Sequence, residues 1–212
     1  MTQDRNRRFW NRIAQRYAAR PLKDVPAYEA MLAATAACLS PSARVLELGC
    51  GTGGTAIRLA PQVAHWTATD FSAEMVRIAS AKPRGTNLTF KVVDAANAFD
   101  DGPYDVVCAF NVLHLVDDLP GLLARAHANL RPGGVLISKT WCFAGVNPLL
   151  RALFRVLQVV RLFPDAAILS EAQLQQAIRG AGFDIVDQKV FGPHPQNPYI
   201  VARRSDGTAD RR

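Results

Sequence analysis

The sequence predicts an α/β protein with a doubly wound, mostly parallel, seven-stranded sheet. From Arg44 onwards, short apolar segments of strand length alternate with longer segments of helical periodicity. A glycine-rich turn links the first strand to a helix. The linker between the last two strands is too short for a crossover helix, so we expect the last strand to run antiparallel. At 212 residues, a single domain is the default.

Residues 1–42 are expected to form an N-terminal helical cap. Within residues 5–20, Phe9, Ile13 and Tyr17 are spaced four apart on one helical face, beside a row of arginines. This helix is either a surface helix with a solvated arginine face or a cap over a ligand cleft, with Tyr17 pointing inward.

The other elements follow in order along the chain. Asp24 is suited to cap the second helix, which ends before Ser40. The sheet strands are predicted at 44–48, 65–70, 88–93, 104–109, 133–139, 183–190 and 198–203, and the helices near 54–62, 72–81, 118–130 and 170–180. These elements define a cofactor-binding core (43–140), a last helix and strand pair (170–203) and a disordered tail (204–212).

The segment around which the sheet is arranged reads A-R-V-L-E-L-G-C-G-T-G-G-T over residues 43–55. Its apolar residues suit a buried strand, and its glycines permit a tight turn and the close approach of a ligand. The N–H groups at the start of the next helix then face that ligand. Glu47 lies inside the strand, where an unpaired carboxylate is costly, so we expect a polar site nearby.

The same glycines leave two other functions open. Gly49-x-Gly51-x-x-Gly54 fits the dinucleotide fingerprint, with Asp70 about 20 residues further on as a ribose-binding acid. An NAD(P)-dependent oxidoreductase is therefore one alternative, and a non-catalytic binding domain on the same fold is another.

The composite V-L-E-L-G-C-G-T-G of residues 45–53 resembles motif I of the class I S-adenosylmethionine (SAM)-dependent methyltransferases. The acids at later strand ends and the turn Arg131-Pro132-Gly133-Gly134 are similar to that family in order and spacing, in particular to its ubiquinone-biosynthesis-like, type 11 branch. The resemblance is firm over residues 43–140. It implies a Rossmann-like methyltransferase fold, SAM as the cofactor and methyl transfer by in-line displacement. It assigns Glu47, Gly49, Cys50 and Gly51 to cofactor binding.

Asp70 ends the second strand, at the edge where ligands bind in open parallel sheets. Its carboxylate can accept hydrogen bonds from both ribose hydroxyls, because Ser72 can cap the next helix in its place. Helix capping by Asp70 itself is the structural alternative. In the family this is the motif II acid, and the resemblance implies that Phe71 and Met75 line the adenine.

Asp94 ends the third strand, where it either forms a turn or accepts hydrogen bonds from an exocyclic amine. The resemblance assigns Asp94 and the N–H of Ala95 to the adenine edge. After the fourth strand, it places Asn111 and Val112 against the methionine end of SAM. His114 is the histidine nearest to that chemistry, and it is either a catalytic base or a packed core histidine.

Residues 141–169 form an insertion where the family builds substrate lids. Ten of residues 149–163 are large and apolar, and three arginines interrupt them. An apolar lid suits a hydrophobic or aromatic small molecule, whereas a helix packed on the core and a membrane-surface contact are the alternatives. Tyr17 is a second catalytic candidate beside His114, because aromatic rings can favour a sulfonium electrostatically.

Composition and charge bear on partners and location. The formal net charge is +7, but residues 1–23 carry +6 and residues 203–212 carry +2, so the body is nearly neutral. We therefore expect a small-molecule methyl acceptor and no nucleic acid. The four cysteines lack metal-ligand spacing, so no metal site is expected. Unpaired thiols and the lack of a secretory or membrane-spanning segment predict a cytoplasmic protein, with its oligomeric state left open.

Overall fold

A computed structural model gives the structure over residues 2–160 and 162–205. Within them lies one seven-stranded sheet with strand order β3-β2-β1-β4-β5-β7-β6. Its strands are β1 (Arg44–Leu48), β2 (His65–Asp70), β3 (Leu88–Val92), β4 (Tyr104–Phe110), β5 (Leu130–Lys139), β6 (Phe183–Val190) and β7 (Pro198–Arg204). The helices are α1 (Thr2–Ala18), α2 (Val25–Ala36), α3 (Gly54–Leu59), α4 (Ala73–Ser80), α5 (Leu119–Asn129), α6 (Pro148–Val159) and α7 (Glu171–Gly180).

The strand directions confirm the predicted sheet. β1 to β5 pair in parallel, whereas β7 runs antiparallel to both of its neighbours, β5 and β6. The carboxyl ends of β1 to β5 therefore share one edge of the sheet, which is the usual place for a ligand in this architecture.

Two apolar cores lie on the two faces of the sheet. Because side chains alternate along a strand, Leu46 of β1 packs on one face with Leu122 of α5 and Ile178 of α7. Val45 packs on the other face with Met31 of α2. Helices on both faces make the sheet doubly wound, as predicted.

α1 links two parts of the ligand-binding edge. Asn11 accepts hydrogen bonds from the Ser72 hydroxyl (2.7 Å) and the Glu74 N–H (3.3 Å) at the start of α4. Near the other end of α1, the buried Asn6 amide donates to the Asp165 carbonyl (2.9 Å) and accepts from the Asp165 N–H (2.8 Å). Arg5 forms an ion pair with the Asp165 carboxylate. We call the contacts of Arg5 and Asn6 with Asp165 the clasp.

α6 is attached much more loosely. None of its residues whose side chains the structure describes is buried. Phe154 and Leu157 are half-buried, and the Phe154 ring stacks on Phe163 at 4.9 Å between centroids. Of the three alternatives for this segment, a helix packed on the core does not fit α6, because α6 rests on a local aromatic cluster and exposes its opposite side.

Some predicted boundaries need correction. The helix expected at 54–62 ends at Leu59, where a 3₁₀ turn containing Pro61 takes over. β5 starts at Leu130 instead of residue 133, with a register shift opposite Tyr104 and Val106. Arg204 belongs to β7 and donates to the Leu130 carbonyl, so the predicted tail at 204–212 is wrong at its first residue. Residues 206–212 and Arg161 lie outside the described residues.

Candidate active site

The turn at residues 49–54, between β1 and α3, forms a cradle in which three glycines adopt left-handed backbone conformations. Gly49, Gly51 and Gly53 have φ of +66°, +53° and +77°. A Cβ on Gly49 would lie 2.7 Å from a methyl carbon of Val112, so glycine is also needed there for close packing. A Cβ on Gly51 would meet only Tyr17, at 3.9 Å. The space beside Gly51 is therefore open to a ligand.

Asp70 ties the end of β2 to this cradle. One carboxylate oxygen accepts the Gly51 N–H (2.9 Å) and the other accepts the Ser72 N–H (2.8 Å). Ser72 caps α4 by accepting the Met75 N–H, as its position predicts. Burial raises the pKa of Asp70, and the two N–H groups oppose this. Asp70 thus points towards the cradle, and each oxygen retains a lone pair for a further donor.

A cleft of about 400 Å³ opens beside Asp70 at the strand ends. It is lined by Gln3, Gly49, Asp70, Phe71, Val93, Asp94, Ala95, Leu115 and Val116. The cleft brings together five predicted cofactor-binding residues from the ends of β1, β2 and β3. It also includes Gln3, Leu115 and Val116, which sequence analysis missed. Leu115 and Val116 directly follow the predicted His114, whereas nothing in the pattern of α1 singles out Gln3.

Asp94 has a structural partner as well as a place in the cleft. Its carboxylate accepts the Ala96 N–H (2.9 Å) and caps a 3₁₀ turn at Ala95–Asn97. The turn-forming role and the ligand-facing role considered for Asp94 are therefore compatible, because one carboxylate oxygen satisfies the turn.

α1 meets the cleft at one point and the cradle at another. Gln3 lies at the cleft wall, and Tyr17, fourteen residues further along the same helix, lies beside Gly51 of the cradle. Tyr17 is half-exposed, and its pKa is raised by burial of its hydroxyl and by the negative charge of Asp70. Of the two alternatives for this helix, the cap over the cleft is the one that fits these contacts.

Glu47 lies beneath the cradle and is absent from the cleft wall. It is buried, and its carboxylate accepts a hydrogen bond from the Trp66 indole N–H (3.0 Å). Burial raises the pKa of Glu47 to about 8, the indole lowers it in part, and Asp70 raises it. Glu47 is therefore mostly protonated at neutral pH, and its polar partner is Trp66 on the neighbouring strand β2.

Two other predicted cofactor residues are also buried. The Cys50 N–H donates to the Thr69 carbonyl (2.8 Å), and burial raises the pKa of its thiol. Met75 is enclosed in α4 and does not line the cleft. Both side chains are buried in the protein, and their predicted contacts with a cofactor stay predictions.

The loop after β4 positions Asn111, Val112 and His114. Asn111 has a positive φ of 56°, and its N–H donates to the Lys139 carbonyl (2.6 Å) at the end of β5. This turn directs Val112 onto Gly49 and places His114 in the 3₁₀ turn at Leu113–Leu115. His114 is buried, which lowers its pKa to about 4, and its Nδ1 has no hydrogen-bond partner among the described residues. The imidazole is thus neutral at physiological pH.

His114 contacts one wall residue of a second cavity, which lies under α6. Its ring makes an edge contact with Phe143 at 5.5 Å, and its carbonyl accepts the Ala167 N–H (2.7 Å). The space between the walls of this cavity, part of it open to solvent, is about 260 Å³. It is lined by Phe143, Phe154, Arg155, Gln158, Phe163, Ala166 and Ile168. We call it the aromatic pocket. His114 therefore lies between this pocket and Leu115 of the cleft.

The fold and the cleft define a class I SAM-dependent methyltransferase. A family model described as a methyltransferase domain matches residues 5–188, and the chain belongs to this family. The match confirms the prediction of a class I SAM-dependent methyltransferase and the prediction that the protein is an enzyme. It favours methyl transfer over the NAD(P)-dependent and non-catalytic alternatives. The ubiquinone-biosynthesis-like, type 11 branch stays a prediction.

Similar proteins include parts of polyketide synthases and isolated enzymes. A highly reducing polyketide synthase of Alternaria alternata, ACTTS3, is 37% identical over 108 residues. The match covers 46% of this chain and only 4% of that protein, so the chain spans a small fraction of this relative.

Two solved structures are also similar to the chain. The first shows the Haloferax volcanii Trm112 methyltransferase activator in complex with a methyltransferase. The match has a TM-score of 0.67 at 20% identity and covers 82% of this chain and 89% of that one. This likeness supports the fold. The second is the CurJ carbon methyltransferase, with 26% identity and a TM-score of 0.60, covering 78% of this chain and 49% of that one.

The residues of the cleft fit the SAM that this family implies. The cradle offers the backbone of Gly51 without a side chain, and Asp70 offers carboxylate lone pairs suited to ribose hydroxyls. Phe71 supplies an aromatic wall, and Asp94 supplies an acceptor at the far side.

Residues 2–160 and 162–205 contain no group of three or more His, Cys, Asp or Glu side chains placed to hold a metal ion. Among the same residues, no helix combines the length and the apolar character needed to cross a bilayer.

Proposed function

We propose that the chain methylates a small hydrophobic or aromatic acceptor, which is held between the cleft and the aromatic pocket. The observation that carries this proposal is the position of the His114 turn: the His114 ring contacts Phe143 of the aromatic pocket, and the next residue, Leu115, lines the cleft. SAM, when bound, supplies a methyl group on a positively charged sulfur. In this proposal, Asp70 and Asp94 hold the adenosine, Gly49 and Gly51 admit the methionine portion, and Asn111 and Val112 lie beside it.

The aromatic pocket supports an acceptor with an apolar or aromatic body. Three phenylalanine rings form its wall, and the Phe143 ring contacts His114. Such a wall orients an acceptor by packing instead of by covalent chemistry. Orientation of this kind can supply roughly 7–11 kcal/mol of barrier reduction in favourable cases. Residues 141–169 act in this proposal as the substrate lid, and Tyr17 covers the opposite end of the cleft.

A carbon acceptor is a second candidate, favoured by the likeness to the CurJ carbon methyltransferase and to a polyketide synthase. A carbon next to a carbonyl must lose a proton to become a nucleophile. In this proposal the His114 Nδ1, which has no partner among the described residues, accepts it, although burial makes His114 a weak base with a pKa of about 4. An oxygen acceptor such as a phenol has a lone pair already and depends less on this group.

The cofactor site is tested by calorimetric titration of SAM and NAD⁺ into matched glycine variants. Gly51→Leu should weaken SAM binding by about 100-fold or more, because the side chain would enter the cleft. Gly133→Leu is the control, since Gly133 also has a positive φ (72°) but a Cβ there meets nothing within 4 Å. Both variants carry similar backbone strain. NAD⁺ binding without SAM binding would overturn the proposal.

The acceptor is tested by transfer of a labelled methyl group from SAM to panels of phenols and of β-keto thioesters. The label should enter one of these classes, and carbon NMR of the product separates C-methyl from O-methyl groups. Transfer to amine or nucleic-acid acceptors alone would refute the hydrophobic-acceptor proposal while leaving the SAM site intact.

A further inference from the structure

The exposed side of α6 is more apolar than the rest of the described surface. Seven of the fourteen exposed large hydrophobic side chains among the described residues lie within 149–162. On α6 itself, Leu149 is 81% exposed and Val159 is 78% exposed. We call this surface the outer face; it consists of Leu149, Leu153, Val156, Val159 and Val160. Contiguous apolar surface of this kind marks an interaction site.

The outer face is distinct from the side of α6 that borders the aromatic pocket. Phe154 and Gln158 line that pocket, and the Gln158 amide donates to the Pro164 carbonyl (3.1 Å). By the 3.6-residue periodicity of a helix, Leu149, Leu153, Val156 and Val160 occupy one stripe that faces away from Phe154. The aromatic pocket thus accounts for the side chains on the inner side of α6. An acceptor in that pocket would not contact the outer face, so the apolar residues there need another explanation.

The charge around α6 has a single sign. Residues 141–164 contain three arginines and no acidic residue. The next acidic residue, Asp165, is neutralised by Arg5 in the clasp. The clasp also places the N-terminal end of α1 beside this segment, and residues 1–23 carry a net charge of +6. The apolar outer face therefore belongs to a segment of net positive charge and has a second basic segment, the start of α1, beside it, although Arg155 itself lines the aromatic pocket.

We propose that the outer face of α6 docks on an anionic lipid bilayer, with α6 lying in the plane of the interface. Apolar side chains next to arginines are the arrangement by which interfacial helices combine shallow insertion with attraction to acidic headgroups. A helix of 12 residues is roughly 18 Å long, which is too short to span a bilayer and long enough to lie on one. This inference does not depend on the proposed acceptor.

A second copy of the chain fits the outer face less well. Helix-to-helix contact between two copies would gain no charge pairing, because neither 141–164 segment contains an acidic residue. A pair of 12-residue helices also buries far less than the roughly 1,600 Å² of a standard stable interface. An anionic surface satisfies both the apolar side chains and the arginines.

The test is co-sedimentation of the full chain with large unilamellar vesicles. Vesicles of equal parts phosphatidylcholine and phosphatidylserine should bind the chain, whereas pure phosphatidylcholine vesicles should bind it at least about tenfold more weakly, and added salt should reduce binding. The double variant Leu153→Ser with Val156→Ser should lower binding to the anionic vesicles by about tenfold or more.

The matched control replaces two exposed valines of β6, Val186→Ser with Val190→Ser, and should leave binding unchanged. Unaltered SAM affinity shows that the α6 variant is folded, and Leu153→Met with Val156→Ile should retain vesicle binding. No binding to anionic vesicles, equal binding to both vesicle types, or binding unaffected by the α6 variant would overturn the proposal. A dimer in sedimentation velocity that the α6 variant dissociates, without vesicle binding, would assign the face to a second copy instead.

Discussion

The cradle and residues 141–169, the lid segment of the proposed function, lie at the same edge of the sheet, but they are held in place in opposite ways. The cradle is fixed by backbone contacts: both oxygens of Asp70 accept N–H groups, and Gly49 packs against Val112. The lid segment is held through aromatic rings and the clasp, and α6 contributes no buried side chain that the structure describes. The cradle, where a ligand would contact the backbone, therefore has a fixed geometry. The lid segment, where an acceptor would enter in the proposed function, is packed more loosely.

Electrostatics divides the two regions in the same way. Burial in the cradle keeps an acid protonated at Glu47, and burial at the edge of the aromatic pocket keeps a base unprotonated at His114. The contributions of the two groups to the unfolding free energy should change with pH in opposite directions. Unfolding experiments at different pH values can therefore follow each region separately.

The largest expected effect concerns Glu47→Gln. The folded-state pKa of about 8 lies above the ordinary value of 4.5, so the native state binds the extra proton between these pH values. This contribution is complete below pH 4.5 and is lost as the pH rises through 8, which should cost the wild type about 5 kcal/mol of unfolding free energy. Glutamine keeps an acceptor for Trp66 and does not titrate. Urea unfolding across this range should give a flatter profile for the variant; parallel profiles would contradict the buried acid.

His114→Gln should remove a dependence of the opposite sign. The folded-state pKa of about 4 lies below the ordinary 6.5, so the unfolded chain binds more protons between these values. Stability should therefore fall by about 3 kcal/mol as the pH drops from 6.5 to 4, and the variant should lack this loss. The same unfolding experiment measures it. A wild-type profile that is flat below pH 6.5 would show that His114 is not buried.

Asp70→Asn sharpens the comparison within the cradle. An amide has one acceptor oxygen, so either Gly51 or Ser72 loses its partner, and SAM affinity should fall by about 30-fold, or about 2 kcal/mol. Asp105→Asn is the control: Asp105 accepts the Arg44 N–H (2.8 Å) and pairs with Arg131, away from the cleft. It should lose stability without losing SAM affinity. Equal effects of both variants on SAM would break the link between Asp70 and the cofactor.

Phe154→Ala should have the smallest effect on the fold. α6 is exposed, so the unfolding free energy should change by less than about 1 kcal/mol, against roughly 2–5 kcal/mol for Leu122→Ala in the core. SAM affinity should stay within about twofold, whereas the acceptor KM should rise about fivefold because the Phe154–Phe163 stack is lost. Steady-state kinetics measures this difference. A large loss of SAM affinity would show that lid and cradle are not independent.

The sheet could be predicted because its signals are local. The apolar segments of β1, β2 and β6 are bounded by turn residues, and all three strands match the predicted limits. Asp70 and Asp94 could be predicted because parallel strand ends meet at one edge. The hydrogen bond from Trp66 to Glu47 could not be predicted, because it depends on the register in which β1 and β2 pair.

The lid segment was harder to predict for a related reason. An amphipathic pattern fixes which side chains share a helix face, but it does not say whether that face meets the core, a ligand or solvent. The role of Gln3 in the cleft depends on the long-range contact of Asn6 with Asp165, which no local pattern encodes.

The clasp between α1 and Asp165 also bears on the order of events in a catalytic cycle. α1 lies over the cleft, and Asn6 makes two hydrogen bonds to the segment that closes the aromatic pocket. We expect a molecule deep in the cleft to exchange more slowly than one in the pocket, because α1, which the clasp holds, lies at the cleft wall. We therefore expect sequential kinetics in which the nucleoside product departs last, so that it inhibits competitively against the methyl donor and not against the acceptor.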